Sequence, residues 1–221
     1  ELALKQARSQ NRKIKFFFPS SIAVYGATKK DYAYTENDSL SPITIYGANK
    51  LYAEKLGVYY SQYYDQLSDN RAFVDFRSLR FPGLISSKTV PSGGTSDFIP
   101  EMWHSIKMNN RYECFVDKES RLPFLAMPDA IQAMNKLMKT DINKIESRIY
   151  NVTSFNPSVD EFFKLTKKYY PNSELSYNIN TARQKIIDSW PCNIDDTLAK
   201  NEWGWSPEYD LNKTIDEYLQ S

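Results

Sequence analysis

Runs of apolar residues of strand length alternate with stripes at helical spacing over the first 85 residues. Residues 1–11 read as helical, with Leu2 to Arg8 as the end of a helix already under way. Ile14–Phe18 is a short apolar run closed by Pro19 and two serines, the pattern of a buried strand. A polar, Pro-containing loop covers about 27–45. From Tyr46 the apolar positions Leu51, Ala53, Leu56 and Tyr60 recur at helical spacing and predict a long helix over 46–66. Ser68–Arg71 is a polar connection, and Phe73–Phe81 is a second strand ended by Pro82 and Gly83. Helix, strand, helix, strand, with helices of crossover length, implies a parallel sheet.

Beyond Gly83 the pattern changes. A Gly-rich stretch, Ser92-Gly93-Gly94-Thr95-Ser96-Asp97, leads into a helix at about 97–109. A strand pair near 111–117 and 121–127 follows, then a helix near 129–139 and a strand at Arg148–Thr153. Asn156 and Pro157 read as N-cap and first residue of a helix running to about Tyr169. The tail holds a strand near 174–178 and short helices around 181–188, 194–200 and 211–219. The stretch Asp65–Val74 is long for a helix-to-strand turn and reads as a surface insertion.

Composition narrows the chemistry. Lys plus Arg is 28 and Asp plus Glu is 27, a balance that argues against a general grip on nucleic acid or anionic membrane. No apolar run approaches the ~20 residues of a membrane span. Cys114 and Cys192 show no metal-ligand spacing, which fits a reducing compartment and no metal site. The only histidine is His104, so zinc-hydrolase and Ser-His-Asp chemistry are nearly excluded. The chain opens on Glu1 and shows no leader, and it reads as a piece of a longer protein.

The strongest constellation is Ser21, Tyr46 and Lys50. Tyr46 and Lys50 stand four residues apart, on one helix face. A phenol with a pKa of ~10 is a poor base at neutral pH. A nearby cation favours the phenolate. Ser21, at the end of the preceding strand, could hydrogen-bond a substrate oxygen while Tyr46 takes its proton and a hydride leaves the same carbon. The spacing alone is weak, because Tyr25–Lys29 and Tyr209–Lys213 share it. Context favours Tyr46, which opens a helix 25 residues after Ser21, whereas Tyr25 precedes Lys29, Lys30 and Asp31 with no apolar stripe.

Three segments in order carry a resemblance: Pro19-Ser20-Ser21-Ile22-Ala23-Val24-Tyr25-Gly26, then Tyr46-Gly-x-x-Lys50, then Leu79-Arg80-Phe81-Pro82-Gly83. Together they resemble the second half of the extended short-chain dehydrogenases, a family that includes nucleotide-sugar epimerases and dehydratases. Gly93–Phe98, Arg121-Leu122-Pro123, Met127-Pro128-Asp129, Ile187–Pro191, Asp195-Asp196 and Trp203-Gly204-Trp205 are similar to segments of the short-chain threonine dehydrogenases within it. Ser21 stands where those enzymes usually have Thr.

The resemblance implies an α/β fold: the C-terminal part of a Rossmann-type parallel sheet over residues 1–85, with a smaller substrate lobe over 86–221 that sends segments back to the sheet. It implies that Ser21, Tyr46 and Lys50 are catalytic, and that Ser20, Tyr46, Lys50, Phe81, Pro82 and Leu84 hold NAD. Gly94, Thr95, Ser96, Asp97 and Trp190, with Ser21 and Tyr46, would bind substrate. The implied reaction is oxidation of the 3-hydroxyl of L-threonine to 2-amino-3-oxobutyrate. A homodimer seam of Leu51, Leu56, Tyr59, Tyr60 and Tyr63 is implied too, as is a cytoplasmic or mitochondrial-matrix location. The Gly-rich turn that receives the pyrophosphate is missing from the 221 residues, so by themselves they should bind NAD weakly, expose Ile14–Phe18 as an apolar sheet edge, and be inactive and poorly soluble or oligomeric.

Plainer roles stand beside these. Ser96 or Asp97 could simply cap a helix, Trp190 could be core packing, and Arg121 a structural ion pair. Trp203 and Trp205 read as packing, and His104 as packing or surface. A nucleotide-sugar epimerase or dehydratase is the nearest rival enzyme. A truncated, non-catalytic paralogue that serves as a dimerisation or scaffold module is the rival of another class.

Overall fold

The computed structural model describes residues 1–27, 29, 31–64 and 74–220, the last of these by its backbone alone. The insertion expected at 65–74 lies outside the described residues except for Val74.

Helix α1 (Leu2–Ser9) precedes strand β1 (Ile14–Ser21), a 3-10 turn (Ile22–Val24) and the short strand β2 (Ala33–Tyr34). Helix α2 (Ile45–Val58) ends in a π-helical turn over Tyr59–Tyr63. Strands β3 (Val74–Phe81) and β4 (Gly83–Ile85) follow, then helix α3 (Phe98–Asn109) and strands β5 (Arg111–Cys114) and β6 (Phe124–Ala126). Helix α4 (Met127–Lys139), strand β7 (Ile149–Asn151), helix α5 (Val159–Thr166) and strand β8 (Glu174–Tyr177) come next. The chain finishes with helix α6 (Thr181–Ile187), strand β9 (Asn193–Ile194), and helices α7 (Thr197–Trp203) and α8 (Leu211–Gln220).

The parallel sheet expected from the sequence is present, in the order β1-β3-β7. Its central strand β3 is buried along almost its whole length although it carries Asp75, Arg77, Ser78 and Arg80. Each charge there has a partner, as burial demands: Arg77 pairs with Asp75 at 2.7 Å, and Arg80 with Glu54 at 2.8 Å. One face of the sheet meets α1 and α2 through Leu4, Val74, Phe76 and Val58. The other meets α4 and α7 through Leu79, Tyr150, Ala133, Leu137 and Trp203. A larger core gathers α3, α5 and α8 around Trp103, Phe124, Phe162 and Tyr218.

Three local expectations change. Strand β1 exposes Lys15 and Phe16, Phe16 at 45 %, in line with the sheet edge expected of these residues by themselves. It also runs through Pro19 to Ser21 instead of stopping at Phe18. Among the described residues β1 pairs only with β3. The segments near 111–117 and 121–127 do not pair with each other. Strand β5 lies parallel to β8, and β6 parallel to β4, so both find partners far along the chain. The helix expected from Asn156 begins at Val159, because Ser158 and Glu161 form a reciprocal capping box, while Asn156 Nδ2 donates to the Cys192 carbonyl at 3.0 Å.

Candidate active site

Ser21 closes β1 and starts the 3-10 turn, where its Oγ accepts from Ala23 N at 3.2 Å. Thr44 caps α2 by accepting from Gly47 N at 3.0 Å, which sets Tyr46 in the first helical turn. Tyr46 is half exposed, at 50 %. Lys50, one turn on, donates to the Pro19 carbonyl at 2.5 Å, and its Nζ lies 5.4 Å from the centre of the Tyr46 ring. Burial lowers the Lys50 pKa. The ammonium therefore sits between the end of β1 and the phenol.

These residues line one cavity of about 630 Å³. Pro19, Ser20 and Ser21 come from β1, and Tyr46 and Lys50 from α2. Phe81, Pro82 and Leu84 come from the β3–β4 junction. Gly83 lets this backbone approach β6, since a Cβ there would stand 2.5 Å from the Phe124 ring. Gly94, Thr95, Ser96 and Asp97 face them from the loop before α3, and Ile186 and Trp190 form a further wall. All twelve residues that the sequence singled out for the site thus border a single space. Trp190 is partly buried against the main core as well, so packing and wall are one role.

The loop is held from two sides. Asp97 Oδ2 accepts from Gly94 N at 2.9 Å and from Ser92 N at 3.3 Å. Asp97 occupies the N-cap position of α3, but its side chain makes no capping bond there. Arg183 donates to the Gly93 carbonyl at 2.7 Å, and its guanidinium lies 4.2 Å from the centre of the Phe115 ring. Gly93 takes a φ of +85°, where a side chain would be strained.

The twin motifs have different fates. Tyr25 is fully buried, with its hydroxyl 2.9 Å from both the Thr35 carbonyl and Asn151 Oδ1. It accepts from Arg80 at 2.8 Å. Burial pushes its pKa up to about 12, so its proton is harder to remove. Tyr209 lies ahead of α8 and borders a different, smaller cavity with Ile85 and Ser86. Arg121 is engaged by Glu161 through two bonds of 2.8 Å, Trp203 and Trp205 are packing residues, and His104 is on the surface. No disulfide joins Cys114 and Cys192, and burial pushes the Cys114 thiol up to about 11. Among the described residues no cluster of three metal-ligating side chains occurs, and no helix is long and apolar enough to cross a membrane.

Sequence reasoning missed Glu54, Arg80 and Arg183. Glu54 left a readable signal: Tyr46, Lys50 and Glu54 repeat every four residues on one face of α2. Arg183 left none, because its contact with Gly93 spans 90 residues of chain.

A profile of the NAD-dependent epimerase/dehydratase family matches residues 2–153. The mitochondrial L-threonine 3-dehydrogenase of Bos taurus is 34 % identical over 206 residues, 93 % of this chain and 53 % of that protein. The chain thus spans about half the length of this curated relative. The crystal structure of L-threonine dehydrogenase from Phytophthora infestans superposes with a TM-score of 0.88 at 31 % identity, covering 98 % of this chain and 67 % of that one. A monomeric L-threonine 3-dehydrogenase from a metagenome superposes at 0.86 with 36 % identity, again over 98 % and 67 %. The chain belongs to the NAD-dependent epimerase/dehydratase family.

Proposed function

We propose that the protein oxidises the 3-hydroxyl of L-threonine to 2-amino-3-oxobutyrate with NAD. The observation that carries this reading is the single cavity in which Ser21, Tyr46 and Lys50 face the polar loop Thr95-Ser96-Asp97. Threonine dehydrogenases among its relatives, at 31–36 % identity, support the same substrate. The residues present suit the nicotinamide–ribose end of NAD. Lys50 has three donors and gives one to Pro19, which leaves donors for ribose hydroxyls, and the backbone from Phe81 to Leu84 borders the same space. NAD, when bound, supplies the hydride acceptor.

The side chains divide the remaining work. Ser21 Oγ takes the Ala23 N–H and keeps its own proton for the substrate hydroxyl oxygen, which it orients. Tyr46 removes the hydroxyl proton as the C3 carbonyl forms, and its exposure gives that proton a route to solvent. Lys50 holds its ammonium 5.4 Å from the centre of the Tyr46 ring. Thr95, Ser96 and the N–H groups opening α3 suit the substrate carboxylate, and Asp97 suits its ammonium. Residues 1–85 supply the cofactor side and 86–221 the substrate lobe. A homodimer through α1 and α2 belongs to the same proposal, supported by exposed Leu56, Tyr59 and Tyr63. Leu51 and Tyr60 pack inward instead.

The test is NADH formation by the full-length protein on addition of L-threonine. A UDP-sugar bound in the C-terminal lobe and epimerised, with no response to threonine, would overturn the proposal. The bidentate Arg121–Glu161 pair speaks against that rival, because it occupies the guanidinium a diphosphate would need. The 221 residues assayed by themselves should bind NAD weakly and turn over no threonine. Calorimetric titration at micromolar affinity, with normal turnover, would refute that part.

A further inference from the structure

Glu54 is a carboxylate on the helix that carries Tyr46 and Lys50, and its side chain is fully buried. Oε1 accepts from Ser20 Oγ at 2.5 Å and from Arg80 Nε at 2.9 Å, and Oε2 accepts from Arg80 NH2 at 2.8 Å. Ser20 is the neighbour of Ser21. Arg80 precedes Phe81 and Pro82, and its other arm donates to Tyr25. One turn earlier on the same helix face, Lys50 donates to Pro19. Two consecutive residues of β1, Pro19 and Ser20, are therefore fastened to two successive turns of α2.

Burying an ion pair contributes little stability relative to an apolar pair of the same shape. What this pair supplies is geometry. An α-helix packed on a sheet can slide along its axis at small cost when only apolar contacts hold it. A bidentate bond to β3 and a short bond to β1, both from one carboxylate, fix that slide.

We propose that Glu54 is a positioning residue that sets the register of α2 against β1 and β3, and with it the approach of Tyr46 and Lys50 to Ser21. The inference rests on Tyr46 being the base, and it has a signature of its own. Glu54 lies two turns, ~12 Å along the axis, from Tyr46. As a mere charge, its loss would leave Arg80 uncompensated and favour a phenolate, so the ascending limb of kcat against pH would move down. As a positioning group, its loss carries Tyr46 and Lys50 together away from Ser21, so kcat falls while the limb stays in place, because their spacing within the helix is unchanged.

The experiment compares Glu54→Gln, Glu54→Asp, Ser20→Ala and Tyr46→Phe in the full-length protein, with L-threonine and NAD. Glu54→Gln should lower kcat by ~10- to 100-fold, the cost of misplacing a catalytic group by up to 1 Å. KM for threonine should change by less than ~2-fold, and the ascending limb should stay in place, because Tyr46 and Lys50 move as one. Glu54→Asp keeps the charge but shortens the reach, so it should not rescue. Ser20→Ala keeps the ion pair and removes only the bond to β1. It should lower kcat the same way by less, with KM and the limb in place, and it decides the matter if Glu54→Gln does not fold. A folded Glu54→Gln that keeps wild-type kcat, or whose limb moves down, overturns the proposal, as does full rescue by aspartate. Tyr46→Phe separates the two ideas: if it keeps normal turnover, the base assignment has failed, whatever Glu54 does.

Discussion

Gly47 follows Tyr46 in the first turn of α2, and it is the point where the helix presses hardest on the turn after Ser21. A Cβ at position 47 would stand 2.1 Å from the Ala23 carbonyl oxygen and 2.8 Å from Pro42 Cβ. Carbon and oxygen in contact need more than ~3 Å, so in Gly47→Ala one side must yield by roughly 1 Å in a close-packed interior. Tyr46 rides on the helix, while Ser21 sits at the base of the opposing turn, so the displacement opens the distance between base and orienting hydroxyl. Misplacement of that size costs ~100-fold in turnover. Stability moves less, because the ~1 kcal/mol that alanine gains over glycine in a helix offsets part of the ~1–3 kcal/mol of overpacking. The assay is kcat and KM for threonine beside the thermal midpoint, for wild type, Gly47→Ala and Asn49→Ala. Asn49 is exposed on the same turn and should leave turnover within ~2-fold. Unchanged turnover with a higher midpoint in Gly47→Ala would refute the reasoning, since the interface would then yield without separating Tyr46 from Ser21.

Tyr46→Phe should lower turnover by at least ~100-fold. Tyr25→Phe should leave most of it but lose ~1–3 kcal/mol of stability, because Arg80 and Asn151 lose a buried partner; chemical denaturation beside the kinetic assay tests both. Thr95→Ala should weaken threonine use by ~1–3 kcal/mol in kcat/KM if its hydroxyl meets the substrate, and an unchanged kcat/KM would remove Thr95 from the site. Asp38 accepts from Thr35 N at 2.7 Å, Thr35 Oγ1 at 2.9 Å and Tyr32 at 3.0 Å, and the Thr35 backbone bond leads in holding its pKa below the ordinary value. A lowered carboxylate stabilises the fold above its unfolded pKa and loses that effect as pH falls through the folded value. The thermal midpoint of Asp38→Asn should therefore lie below wild type at neutral pH, and the gap should close on acidification. A gap that does not shrink at all as pH falls below the ordinary carboxylate range would show that the ionised form is not what matters.

What the sequence made legible follows the range of the interactions concerned. Tyr46–Lys50 spacing alone left three candidate pairs, and Ser21, Tyr46, Lys50 and the loop Gly94–Asp97 were readable because short local segments resemble those of a known family. These residues border one cavity. The failures are contests decided by distant or competing partners. Strand β5 could have paired with β6 within a dozen residues, but β8, some sixty residues on, is its actual partner. Asn156 is a good cap by type, yet Ser158 with Glu161 satisfies two backbone donors at once, and the helix starts there.

The two near-identical pentapeptides, Tyr25-Gly-Ala-Thr-Lys29 and Tyr46-Gly-Ala-Asn-Lys50, show where chemistry is decided. Each offers a phenol and an ammonium at the same spacing. The first follows a 3-10 turn, so its tyrosine points into the core, and there it becomes the meeting point of Arg80, Asn151 and the Thr35 carbonyl. Burial makes its proton harder to remove, and Lys29 sits instead 4.5 Å from the centre of the Tyr32 ring. The second begins a capped helix, so its tyrosine opens on the cavity and its lysine turns back one helical turn toward it. Tyr25 is not idle in this arrangement. It accepts from the same guanidinium that grips Glu54, and so the buried tyrosine helps to hold the helix on which the exposed one works.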